Sequence, residues 1–260
     1  MAMTVFALDT TTRAGSMALL REGRVLEERT GDPALTHGAR LPGEILDLLA
    51  RHGVTLREID LYGVAAGPGS FTGLRIGIAA VQGLAFAHQR PVAGVSALEA
   101  LARRTLLDGP APACLGIWMD AQRHEVFSAL WEVPPEAPAG TGGPGLALAV
   151  LEEAAVGAPE ATLDRWLAQL GGRPLLLAGD GALRYRDRVH ARAPQVEVRL
   201  GVPPLAATIG RMAIGAAEAG QAGGPAAIRP IYVRRPDAEL ARDRKAAAAA
   251  PAAETEERRR

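Results

Sequence analysis

The stretch from Leu61 to His88 limits the possible folds more than any other part of the chain. Leu61 to Ala66 is an unbroken apolar run of strand length, Gly67 to Thr72 is a glycine-rich loop, and Gly73 to His88 has the length of a helix. A short apolar run without alternation is buried on both faces, which suits a parallel sheet covered by helices. The helix carries Leu74, Ile76, Ile78, Val81, Leu84 and Phe86 on nearly every face, so it must be covered from more than one side. Gly73, Gly77, Ala80 and Gly83 are small enough to let another helix come close. A layered α/β fold follows, with an extra body against this helix.

The flanking segments repeat one order of elements. Val5 to Leu8, Ser16 to Leu20 and Arg24 to Arg29 alternate or run apolar as strands, joined by the tight turn Glu22-Gly23. A helix is expected over 37–51, with Leu41, Ile45, Leu48 and Leu49 on one face and Gly53 as its stop. Thr55 and Glu58 have capping-box spacing before the buried strand, and Ser96 and Glu99 repeat that spacing after a short strand at Pro91 to Gly94. Residues 1–105 therefore predict one α/β lobe. Beyond Asp108-Gly-Pro-Ala-Pro a second meander begins, with Leu115 to Met119 and Val126 to Trp131 as a hairpin and Val133 to Gly145 as a Pro- and Gly-rich surface loop. Ala161 to Leu170 reads as a helix, Leu175 to Ala178 as a strand and Leu205 to Ala219 as a long Ala-rich helix, giving a second lobe over 106–235. The tail 236–260 lacks aromatics and predicts disorder or a frayed helix.

Composition excludes several classes. The chain has 260 residues, 48% of them hydrophobic, with 29 basic against 29 acidic side chains, so it lacks the net positive field of a nonspecific nucleic-acid binder. One cysteine, Cys114, rules out an internal disulfide or a multi-thiolate zinc site. No apolar run approaches the roughly 20 residues that span a bilayer, and the expected location is the cytoplasm. The histidines at 37, 52, 88, 124 and 190 include no pair at helical spacing, so no metal site is expected.

Two loops could face a phosphate. Asp9-Thr10-Thr11-Thr12 offers hydroxyls and backbone N–H groups between two strands, although the same residues also satisfy a tight turn by local bonds. Gly67-Pro68-Gly69-Ser70-Phe71-Thr72-Gly73 joins a buried strand to a helix, where free N–H groups favour an anion. It lacks the Walker lysine, and its glycines serve equally to let two backbone segments approach closely. Ser70 has no His or Lys in local register, which leaves a serine-hydrolase reading weak.

Gly67 to Ala87, reading GPGSFTGLRIGIAAVQGLAFA, resembles the signature of the TsaB (YeaZ) family. Leu8 to Thr12, Thr36-His37, the stretch from Pro91 to Ala102, Met119 to Arg123 and Pro230 to Arg234 extend the resemblance over residues 4 to about 235. It implies a two-lobed actin-like, ribonuclease-H-like ATPase (ASKHA) fold with a degenerate active site. It also implies a role in making N6-threonylcarbamoyladenosine in tRNA next to the anticodon, as a non-catalytic dimerisation subunit that supports the catalytic paralogue TsaD. The expected partners are a TsaD-type subunit, a TsaE-type ATPase and a second copy of the chain, with tRNA reached only through the complex.

Loss of the paralogue's ligands agrees with that reading. The paralogue's two metal-binding histidines fall on Ala97 and Leu101, and its glycine pairs become Asp120-Ala121-Gln122-Arg123 and Gly179-Asp180. Carboxylates at these points repel phosphate unless a metal intervenes. No catalytic residue is therefore expected. Nucleotide contacts are confined to Asp9, Thr10, Thr11, Gly67, Gly69 and Ser70, with ATP or ADP held only at a partner interface. That interface is expected at His37, Leu41, Ile45, Leu48, Leu74, Ile78 and Val81. The alternative is an ATP-dependent small-molecule kinase or a metallopeptidase on the same fold, for which only Asp9 is in place.

Overall fold

The computed structural model describes residues 3–135 and 145–234, and the statements below concern these. The tail expected over 236–260 and most of the expected loop at 133–145 lie outside them.

The first sheet holds β1 (Thr4–Asp9), β2 (Ser16–Arg21), β3 (Arg24–Thr30), β4 (Leu61–Gly67) and β5 (Val92–Ser96), in the order β3-β2-β1-β4-β5. β1 pairs antiparallel with β2 and parallel with β4, so the meander lies on one side of it and the crossover strands on the other. Glu22 and Gly23 both have positive φ, which matches the right-handed twist of a two-residue hairpin. α1 (His37–Arg51) starts at Thr36, whose side chain accepts from Ala39 N, and α2 (Phe71–His88) starts at Ser70, whose side chain accepts from Gly73 N. Phe6, Leu8, Met17 and Leu19 of the sheet pack with Leu41, Ile45, Leu48, Ile78 and Val81 of these two helices.

The second sheet repeats the pattern. β6 (Cys114–Asp120), β7 (Val126–Glu132), β8 (Ala149–Gly157), β9 (Leu175–Ala178) and β10 (Glu197–Val198) lie in the order β10-β9-β6-β7-β8, with β6 antiparallel to β7 and parallel to β9. Counted within each sheet, both place the first strand centrally with strands two and three on one side and four and five on the other. This is the ribonuclease-H-like topology, present twice. Its outer face is covered by α4 (Pro159–Leu170), α5 (Asp180–Arg184) and α6 (Arg186–Arg192) around Trp118 and Trp166.

Between the sheets lie α3 (Ala97–Leu107) and α7 (Ala206–Glu218). One apolar cluster runs from Val5, Ala7 and Leu20 through Leu98 and Leu101 to Ile117, Ala129 and Ala178, so a single core crosses both lobes. α7 falls inside 106–235, the stretch read as the second lobe, yet it packs on β1, β2 and β4 of the first sheet. The approach is close. A Cβ on Gly210 would stand 2.5 Å from Leu20, and Ser16 accepts from Leu205 N at 3.1 Å. Fully buried Ile209 contributes on the order of 2 kcal/mol to this docking.

Candidate functional site

The two lobes face each other across a cleft of about 870 Å³. Thr12, Arg13, Leu35, Ser70 and Phe71 line it from the first lobe, and Asp120, Gln122, Arg123 and Phe127 from the second. A smaller cavity of about 350 Å³ lies deeper, lined by Asp9, Leu101, Met119 and Asp180.

Asp9 ends β1 and is 3% exposed. Its Oδ1 accepts from the Thr11 N–H at 2.8 Å and the Thr11 hydroxyl at 2.7 Å. Burial raises its pKa above the usual carboxylate value and the charge of Asp180 adds to this, while the Thr11 bonds and His37 oppose it. Thr10 and Thr11 do not present hydroxyls to a phosphate in the cleft. Thr10 is fully buried, and a Cβ on Gly77 would stand 2.1 Å from its Oγ1. Thr11 spends its hydroxyl on Asp9, and its carbonyl accepts from Ser70 N at 2.8 Å.

The glycine loop is built for close approach. Cβ atoms at Gly69 and Gly73 would lie 2.5 Å from Thr11 Cβ and 2.1 Å from the Thr10 carbonyl. One at Gly67 would lie 2.7 Å from the Ile231 carbonyl. Of the six expected nucleotide contacts, Thr11, Gly69 and Ser70 border the larger cleft and Asp9 the smaller cavity, whereas Thr10 and Gly67 border neither. Ser70 is a helix cap, its Oγ accepting from Gly73 N at 3.2 Å.

On the second lobe, the Asp180 carboxylate occupies the backbone donors. Its Oδ1 accepts from Asp120 N at 3.1 Å and Gly181 N at 3.0 Å, and burial raises its pKa, helped by the charge of Asp120. Asp120 in turn accepts from Gln122 N at 3.0 Å and Arg184 Nη1 at 2.7 Å. The turn beyond it holds Gln122, Arg123 and His124 in succession at φ 59°, 54° and 62°, a conformation that costs non-glycine residues energy. Leu101, one of the two positions matched to the paralogue's histidines, is 2% exposed and borders the small cavity beside both aspartates. Ala97, the other, is fully buried. Among the described residues no group of three His, Cys, Asp or Glu side chains converges as a metal site would.

The residues expected to meet a partner prove to be the chain's own core. Leu41, Ile45, Leu48, Leu74, Ile78 and Val81 are each 5% exposed or less, because the amphipathic stripe of a helix turns to the nearest apolar surface, here the first sheet. His37 is buried as well. Its Nε2 faces the Thr12 carbonyl at 2.9 Å and its Nδ1 faces Arg40 Nη2 at 2.8 Å, so the ring is neutral with the proton on Nε2. Arg40, buried too, also donates to Glu44 and to the Ala14 carbonyl. This network ties the start of α1 to the loop after β1. What α1 and α2 leave to solvent is a different apolar stripe: Ala39, Pro42, Leu46 and Ala50 on one helix, Ala79, Gly83, Phe86 and Ala87 on the other. Phe86 is 78% exposed and Leu46 57%.

Duplicated ribonuclease-H-like lobes around a cleft define a two-lobed actin-like protein, here with carboxylates and a leucine where phosphate and metal contacts would be sought. The family model of TsaD, tRNA N6-adenosine threonylcarbamoyltransferase, matches residues 32–133. The crystal structure of an uncharacterized protein with similarity to peptidase YEAZ from Pseudomonas aeruginosa is 34% identical, with a TM-score of 0.72, covering 89% of this chain and all of that one. YeaZ from Pseudomonas aeruginosa is 32% identical over 88% of this chain and 99% of its own, with a TM-score of 0.68. The tRNA threonylcarbamoyladenosine biosynthesis protein TsaB of Haemophilus influenzae is 38% identical over 128 residues, 48% of this chain and 52% of that protein. The chain thus spans about half the length of the curated relatives it matches. It belongs to the TsaB (YeaZ) family.

No helix among the described residues is long and apolar enough to cross a membrane.

Proposed function

We propose that the chain serves the formation of N6-threonylcarbamoyladenosine in tRNA as a docking subunit that does not itself transfer the group. Family membership supplies the pathway. The observation that carries the docking role is the exposed stripe on α1 and α2, where Phe86 and Leu46 stand in solvent beside small residues that let another helix approach. Exposed apolar surface of this kind on two helices in contact marks an interaction site. Its occupant is a TsaD-type catalytic subunit, or a second copy of the chain when that subunit is absent. A TsaE-type ATPase joins the assembly, and tRNA is met through the partners.

The non-catalytic part of the reading rests on the cleft. A phosphate there would meet the charges of Asp120 and Asp180, which line the cleft, and the backbone N–H groups of Asp120 and Gly181 already donate to Asp180. The test has two arms. Depleting the protein removes threonylcarbamoyladenosine from tRNA, and the purified chain co-purifies with a TsaD-type subunit yet transfers nothing alone. Normal modification after depletion, or transfer by the isolated chain, overturns the proposal.

A further inference from the structure

The two lobes are joined in two different ways. Behind the cleft, α3 and the common core join the sheets through apolar contact. At its front, the walls are held by a different device. After α7 the chain turns back along β5 and α2, where Gln82 Nε2 donates to the Pro225 carbonyl at 2.8 Å and Ile228 is 8% exposed in the core beneath. Ile231 N then donates to the Ala66 carbonyl at 2.7 Å, directly on the glycine loop, and the Tyr232 ring lies 5.4 Å from that of Phe71. Arg75 Nε donates to the Tyr232 hydroxyl at 3.1 Å. Two residues later the same segment is bonded to the other lobe: Arg234 Nη1 donates to the Ala121 carbonyl at 2.7 Å, its Nη2 pairs with Glu125, and its guanidinium lies 5.6 Å from the Phe127 ring.

We propose that residues 228–234 are a strap that sets the angle between the two lobes and the width of the cleft. Four residues carry the crossing, from Ile231 on the first lobe to Arg234 on the second, so the two bonded ends limit how far the walls can part. Asp9 and Asp180 border the same small cavity from opposite lobes, and like charges there favour separation of the walls. Gly67 is part of the device: with φ at 122° and its would-be Cβ 2.7 Å from the Ile231 carbonyl, it is the glycine that lets the strap lie on the loop. The lobe angle is thus set by the chain's own C-terminal segment, and α2, which carries the docking stripe, is held in one relation to the second lobe.

Cys114 is fully buried, so spin labels can be placed on the full chain at Arg24→Cys in the first lobe and Glu153→Cys in the second, both exposed. Pulsed electron spin resonance on labelled chain diluted in unlabelled chain reads the distance within one molecule. The intact strap gives one narrow distribution, and Tyr232→Ala with Arg234→Ala broadens it about twofold and moves its mean, as a freed hinge does. An unchanged distribution in a variant that keeps its far-ultraviolet circular dichroism overturns the proposal. If the double variant does not fold, Arg234→Gln alone decides, since it cuts the strap only at the second lobe: broadening supports the strap, and the native distribution refutes it.

Discussion

Gly77 on α2 lies against the side chain of Thr10, so that a Cβ at Gly77 would stand 2.1 Å from Oγ1 and 3.1 Å from Cβ of that threonine. The Thr10 hydroxyl has no hydrogen-bond partner among protein atoms. Alanine is the better helix former by roughly 1 kcal/mol, but overpacking a closed site costs about 1–3 kcal/mol, so Gly77→Ala should lower stability by about 1 kcal/mol. Thr10→Val, which replaces a buried unpaired hydroxyl by a methyl of similar size, should raise it. Urea unfolding of both variants checks the pair of signs.

The inner and outer faces of α1 and α2 should behave oppositely. Phe86→Glu or Leu46→Glu should leave the melting temperature within a degree or two, because both residues are largely in solvent, while weakening association at least about 30-fold, the equivalent of one buried large apolar side chain. Ile78→Glu should instead prevent folding, since the charge lands in the core under the first sheet. Ultracentrifugation with parallel thermal melts separates the two faces.

The aspartates facing the small cavity should cost stability at neutral pH. Burial raises the pKa of both Asp9 and Asp180, so the folded state binds their protons more readily than the unfolded chain does. The sign follows: the penalty is present while the carboxylates are ionised and is relieved as pH falls through the raised values toward 3.8, the unfolded value. Asn keeps an acceptor for the Thr11 or Gly181 bonds and carries no charge. Asp9→Asn and Asp180→Asn should each raise the melting temperature at pH 7, with the gain disappearing in acid.

His37 should contribute in the opposite sense. Burial lowers its pKa, with the Arg40 charge adding to that and the Thr12 carbonyl, Asp9 and Glu44 opposing it. The unfolded chain therefore takes up the proton first, and the stability contributed by neutral His37 is complete above its ordinary value of 6.5 and lost as pH falls below it. His37→Gln retains a donor for the Thr12 carbonyl and does not titrate. Its melting temperature should fall less between pH 7 and pH 5 than that of the unaltered chain.

Much of the first lobe was legible because its signals are local: the Glu22-Gly23 turn, the capping box at Thr55, the cap at Ser96 and the apolar run ending at Ala66 each act within a few residues. β8 was missed because its Ala- and Glu-rich sequence has the composition of a helix and becomes a strand only by pairing with β7. The residues expected to meet a partner turned out to be core for a related reason. The periodic stripe Leu41, Ile45, Leu48 is what any surface helix turns inward, and α2, apolar all round, carries no periodicity to say which side the sheet will take. Thr10 and Gly67 looked like phosphate contacts because residue types cannot show that the free space beside them is filled, by α2 in one case and by the strap in the other.

The packing of α7 on the first sheet sets a schedule for synthesis. Everything needed to pair β1 to β5 has left the ribosome once Ser96 has emerged, but the sheet face carrying Val5, Ala7, Leu20 and Leu61 is closed by a helix that ends at Glu218. More than a hundred residues of translation separate the two events, several seconds at ordinary elongation rates. Through that interval the nascent chain carries a sheet face that α7 does not yet cover, so a truncation before α7 is expected to aggregate.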